Sequence, residues 1–153
     1  MTEEEITGLL LERFGGLQPT EAWGETGFFY NPGSLLKRGV YFATLKSRDG
    51  ENDKASRLDR DGVFRFNIGT PATEYQRLFG KRPSRPAKGG VVTWNGIEQH
   101  DFSALDTIMP HPVYAWTGWV CVLNPSEPTW ATCQPLLDSA YQKARRSFRK
   151  RVR

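Results

Sequence analysis

At 153 residues the chain is long enough for a single domain, 1–153, to bury a core without metals or disulfides as staples. With 38% hydrophobic residues, nine Phe, five Tyr and five Trp, it carries too much apolar and aromatic material to be disordered. The net charge of +4 is local: seven basic residues and no acid lie from Lys143 onward, leaving 14 positive against 17 negative charges over residues 1–142, which excludes a body built throughout for a polyanion.

The opening MTEEEITGLLLERF has no basic start, apolar run or cleavage site of a secretory signal, and no later stretch reaches bilayer length. A cytoplasmic location and no membrane partner are expected. Thr2 and Glu5 fit a capping box, and Ile6, Leu9, Leu10, Phe14 and Leu17 recur at helical spacing until Gly15 and Gly16 intervene. WGETGFFY and RGVYFATLK, parted by turn residues Asn31, Pro32 and Gly33, predict a hairpin. Residues 46–61 carry five positive and five negative charges and predict a long exposed loop. GVFRFNIG alternates, so Phe64, Phe66 and Ile68 should face the core, with Arg65 and Asn67 on the other side of a half-buried strand.

Thr70 and Pro71 predict the N-cap and first residue of a helix reaching Phe79. KRPSRPAKGG reads as a surface loop before a short strand, VVTW, and Asp101 or Ser103 as the cap of a brief helix running toward Met109. HPVYAWTGWVCVLNP is apolar on both faces and predicts a central strand, in which Gly118 marks a bulge or close packing. Ser126 caps a last helix that Pro135 should kink or split; Leu136, Leu137, Ala140, Tyr141, Ala144 and Phe148 line its inner face. The resulting fold class is α+β, an antiparallel sheet packed against an N-terminal and a long C-terminal helix, with a basic helix end from about residue 143. Its core should join Trp119, Val120, Val122, Phe64, Phe66, Leu137 and Tyr141.

Motifs for chemistry mostly fail. No phosphate-cradling glycine loop occurs, so no nucleotide cofactor is expected. Asp49, Glu51 and Asp53 open like a calcium loop, but Lys54 replaces the turn glycine and Arg60 the bidentate Glu. His100, His111, Cys121 and Cys133 have no paired spacing for zinc, so no metal is expected, and the two cysteines read as small buried hydrophobes. No catalytic residue is assigned.

His111, held between Pro110 and Pro112, could serve a pocket with Trp119 and the polar loop residues Lys46, Asp49, Asn52 and Asp53; the plainer reading is a histidine ordering its turn. For nucleic acid the candidates are Lys81, Arg82, Arg85 and Lys88 in one loop and Arg145, Arg146, Arg149 and Lys150 in the tail, with no stacking aromatics interleaved. The plainer reading of the tail is a cationic helix C-terminus.

The blocks FFYNPG, KRGVYFATLKSRDGENDKAS, GVFRFNIG, MPHPVYAWTGWVCVLNPS and LLDSAYQKA together resemble a family of uncharacterised bacterial proteins known as a domain of unknown function. More distantly, GWVCVLNPS followed by LLDSAYQKA resembles the end of the MmcQ/YjbR-like proteins, although the Ser-Tyr pair is broken here at Ser139, Ala140 and Tyr141. That resemblance implies a frataxin-like α+β fold and a double-wing DNA-binding motif. The leading expectation is therefore a non-enzymatic binding module with nucleic acid as partner. The alternatives are an enzyme or small-molecule binder using the His111 pocket, and a structural partner of another protein.

Overall fold

The computed structural model describes residues 1–153. Helix α1 (Glu3–Arg13) starts at the predicted capping box: Thr2 Oγ1 accepts the Glu5 N–H at 3.1 Å and Glu5 Oε1 accepts the Thr2 N–H, satisfying two donors that a helix start leaves orphaned. It buries Ile6 and Leu10 but leaves Leu9 exposed. Leu17 has already left for a strand, β1 (Leu17–Ala22), which the sequence reading missed because Gln18, Pro19, Thr20 and Glu21 show no β pattern. Trp23 and Gly24, both at positive φ, make the tight turn into β2 (Glu25–Tyr30).

Strand β2 pairs with β3 (Val40–Lys46) in the predicted hairpin, with a bulge opposite Phe28 and Phe29. Strands β4 (Arg65–Ile68), β5 (Met109–Pro110) and β6 (Val120–Leu123) complete a six-stranded antiparallel sheet in the order β1-β2-β3-β4-β6-β5. Helices α2 (Ala72–Phe79) and α3 (Glu127–Arg151) follow β4 and β6. The fold is α+β, as expected.

One face of the sheet carries Phe28, Phe42, Phe66, Val120 and Val122 and packs on α1 and on Leu136, Leu137, Ala140, Ala144 and Phe148 of α3 in one buried cluster. Tyr141 packs against that cluster half-buried, and no helix of the chain is long and apolar enough to cross a membrane. Helix α3 runs unbroken through Pro135. Both Pro135 and Ala131, whose carbonyl the proline leaves without an N–H, are exposed, so water can serve it. At its start the Ser126 hydroxyl bonds Thr129 Oγ1 at 3.2 Å and caps no backbone N–H.

Several expectations are corrected where tertiary partners outweigh local pattern. Trp119 is half-buried and lies outside the core, edge-on to Tyr41 on the other sheet face. Thr70 does not cap α2; Pro71 takes that place, and Thr70 Oγ1 donates to the Gly118 carbonyl at 2.5 Å. VVTW forms no strand: the Val92 N–H is taken by the Pro112 carbonyl at 2.8 Å. No helix spans 101–109, because Asp101 Oδ1 instead accepts the Ser103 N–H and hydroxyl in a turn, and Met109 joins the sheet. Residues 111–119 are not strand but a fold-back around a short 3-10 turn (Ala115–Thr117). That turn ends at Gly118 with φ 99, where an added Cβ would lie 3.0 Å from the Thr70 carbonyl oxygen.

The exposed-loop reading of 46–61 also needs correction. Asp49 Oδ1 accepts the Leu58 N–H at 2.8 Å and draws Leu58 and Ser56 into the interior. Strand β4 is consequently buried on both faces, and Arg65 and Asn67 are wholly enclosed.

Candidate functional site

Cross-strand partners in an antiparallel sheet share a face, so the register lays two polar rows across the side away from the core helices. Glu25, Lys46 and Arg65 form one row; Gly27, Thr44, Asn67 and Cys121 form the next. The 46–61 loop and the 111–119 fold-back cover these rows. In the fold-back, the His111 N–H bonds the Trp119 carbonyl at 3.0 Å and the Ala115 N–H bonds the His111 carbonyl at 3.1 Å, which sets His111, Tyr114 and Trp119 on one wall.

Arg65, with no exposed surface, donates four hydrogen bonds to protein groups. Nη1 and Nη2 grip Asp53 in a bidentate pair at 3.0 and 2.5 Å, Nη1 also donates to Ser56 Oγ at 2.9 Å, and Nε donates to Asn67 Oδ1 at 2.7 Å. Asn67 Nδ2 continues the chain to Thr44 Oγ1 at 2.8 Å. Burial pushes the Asp53 carboxyl up, but the hydrogen bonds and charge of Arg65, with help from His111 and Lys46, outweigh it and hold Asp53 below its ordinary range.

His111 Nδ1 accepts the N–H groups of Val113 and Tyr114 at 3.1 and 3.0 Å, which places the proton of the neutral ring on Nε2. Nε2 lies 3.3 Å from Arg65 Nη2, itself a donor, so the Nε2–H has no protein acceptor. Burial first, and then the Arg65 charge, hold this imidazole well below its ordinary range; Asp53 opposes and Lys46 adds to the depression.

Beside this network opens a pocket of about 260 Å³ lined by Glu25, Tyr41, Thr44, His111, Tyr114 and Trp119. Tyr41 and Trp119 stand nearly perpendicular with ring centroids 6.2 Å apart, and His111 lies 5.2 Å from Tyr114 and 6.5 Å from Trp119. Trp119 rests on the backbone of Gly69, where a Cβ would come within 2.9 Å of its ring. Glu25 joins none of the chain's three ion pairs. Burial raises its carboxyl, and Lys46 and Arg65 offset that only in part.

Of the predicted pocket residues, the fold brings Lys46, Asp53, His111 and Trp119 together. Asp49 is spent on the loop backbone, and Asn52 is exposed beside Gly89. Glu25, Tyr41, Thr44, Arg65, Asn67 and Tyr114 were missed. Arg65 carried one usable signal, a lone cation inside an apolar run, but alternation assigned it to solvent; Glu25 carried none.

Of the basic candidates, Lys81, Arg82, Arg85, Lys88, Arg146, Arg149 and Lys150 are exposed and Arg145 is half-buried. Two rest on aromatic rings: Arg85 lies over Trp116 at 5.1 Å and Arg145 over Tyr141 at 5.8 Å. Lys143 donates to the Thr70 carbonyl at 3.3 Å; burial and then the charges of Arg82 and Arg146 lower its ammonium, so the two basic segments approach each other there. Cys121 and Cys133 are free, buried and pushed up to about 12 by burial, which makes them packing residues rather than nucleophiles.

No curated protein matches the chain. Among solved structures, a protein from Pseudomonas syringae determined by the Northeast Structural Genomics Consortium is similar with a TM-score of 0.48 and 11% identity, over 94% of this chain and 99% of that one. The family described as "Family of unknown function (DUF6194)" matches residues 1–153, and the chain belongs to it.

Proposed function

We propose that the chain is a small-molecule-binding protein whose ligand occupies the pocket between Glu25 and His111. One contrast carries the reading: Arg65 beside the pocket is enclosed and paired with Asp53, whereas Glu25 on the pocket wall joins no ion pair. A partly buried carboxylate without a partner is costly, and a ligand that pairs with Glu25 while covering Tyr41, Tyr114 and Trp119 removes that cost. The reading is binding rather than chemistry, since Asp53 and Arg65 are committed to each other and Cys121 is held protonated.

The test is a ¹H–¹⁵N NMR screen of the full chain against small cations, anions and neutral polar compounds. At least one should move the Thr44, His111 and Tyr114 amides and the Trp119 indole together. If none does at millimolar concentration, the reading fails.

A second reading, nucleic-acid binding, is favoured by the approach of Arg82 and Arg146 to Lys143 and by the MmcQ/YjbR-like resemblance of the tail. It predicts weak binding to generic duplex or single-stranded DNA, with Kd roughly 10⁻⁶ to 10⁻⁴ M near physiological salt and falling affinity as salt rises. Neutralising Arg145, Arg146, Arg149 and Lys150 should flatten that salt slope with little change in Tm. An unchanged slope, or no binding at low salt, removes it.

A further inference from the structure

We infer that the pocket's ligand is a small organic ammonium, held by the Glu25 carboxylate and the faces of Tyr41, Tyr114 and Trp119; this rests on the pocket being a ligand site. Among the six lining residues Glu25 is the one acid, and its carboxyl joins no ion pair. Neither of the two cations behind the wall lines the pocket. Arg65 is neutralised by Asp53 in the bidentate pair, and Lys46 lies in the row between Glu25 and Arg65 without lining the pocket.

Three aromatic rings, each with a negative face, and one carboxylate without an ion pair form the chemistry that recognises an alkylated ammonium. The nearly perpendicular setting of Tyr41 and Trp119, 6.2 Å between centroids, makes walls of a box rather than a flat stack. At about 260 Å³ the box suits a headgroup of a few heavy atoms rather than an extended cofactor.

The experiment is calorimetric titration at about pH 8, above the carboxylate range, with site assignment by NMR. The probes are tetramethylammonium, choline, the neutral isostere 3,3-dimethylbutan-1-ol, acetate and inorganic phosphate. Choline and tetramethylammonium should shift the Thr44, His111 and Trp119 signals, and the neutral isostere should bind at least about tenfold more weakly, since charge is the one thing it lacks. Glu25→Gln should weaken both ammonium probes by about tenfold or more while keeping the Tm; the isostere comparison uses the unaltered protein and holds even if that variant folds poorly. Equal binding of the isostere, or preference for acetate or phosphate, overturns the ammonium assignment and leaves the pocket reading standing. If no probe of any class shifts the pocket, the ammonium assignment falls, and the wider screen above decides the pocket reading separately.

Discussion

Asp53→Ala is expected to lower stability by about 3–5 kcal/mol in urea unfolding, the range for removing one partner of a buried ion pair. The reason is the state of Arg65, which has no exposed surface and loses two of its hydrogen bonds with the carboxylate. The remaining partners, Ser56 and Asn67, are neutral and cannot balance its charge. Replacing both members, Arg65→Met with Asp53→Ala, should recover most of the loss, because the uncompensated charge leaves with its partner. A loss below about 1 kcal/mol for Asp53→Ala would place the pair among ordinary surface bridges and refute the enclosed network.

The same network sets an acid sensitivity with two stages. His111 is depressed below its ordinary 6.5, so as pH falls below that value the unfolded chain takes a proton the folded ring refuses, and stability drops by up to about 1.4 kcal/mol per pH unit. Asp53 is also depressed, from an ordinary 3.8, so its contribution is fully present above that value and is lost as pH falls through its lower folded range. His111→Gln should flatten the first stage and leave the second. Identical profiles for the unaltered chain and His111→Gln between about pH 6.5 and 4.5 would contradict a buried neutral His111.

Phe42→Ala is expected to destabilise by about 3–5 kcal/mol, measured by the same unfolding curves. Phe42 is fully buried where three elements meet: its ring lies 5.0 Å from Phe14 at the end of α1 and 5.8 Å from Tyr141 on α3. Truncation leaves a cavity that none of the three can close alone, and Tyr141 is further pinned by its hydroxyl on the Gly15 carbonyl at 2.6 Å. Trp119→Ala, by contrast, empties a half-buried pocket wall and should cost clearly less.

Periodicity and capping are local properties, so α1 with its Thr2–Glu5 box, the β2–β3 hairpin, the apolar strand at 120–123 and the inner face of α3 were legible from residues alone. Those elements suffice for the α+β class, because a sheet with one apolar face and two amphipathic helices has few ways to bury itself. The second face of the sheet was not legible. Arg65 and Asn67 alternate with core phenylalanines as solvent-facing residues do, and only the return of Asp53, Ser56 and His111 from other parts of the chain converts that face into an interior. The same holds for the pocket: Glu25, Tyr41, Thr44 and Trp119 lie far apart in sequence, and the strand register together with the fold-back at Gly118 brings them to one place. Sequence by itself determined where apolar surface would seek cover, because hydrophobic burial needs no specific partner. The tertiary structure decided where charges and hydrogen-bonding groups would be enclosed, because those interactions are directional and depend on partners that no local pattern names.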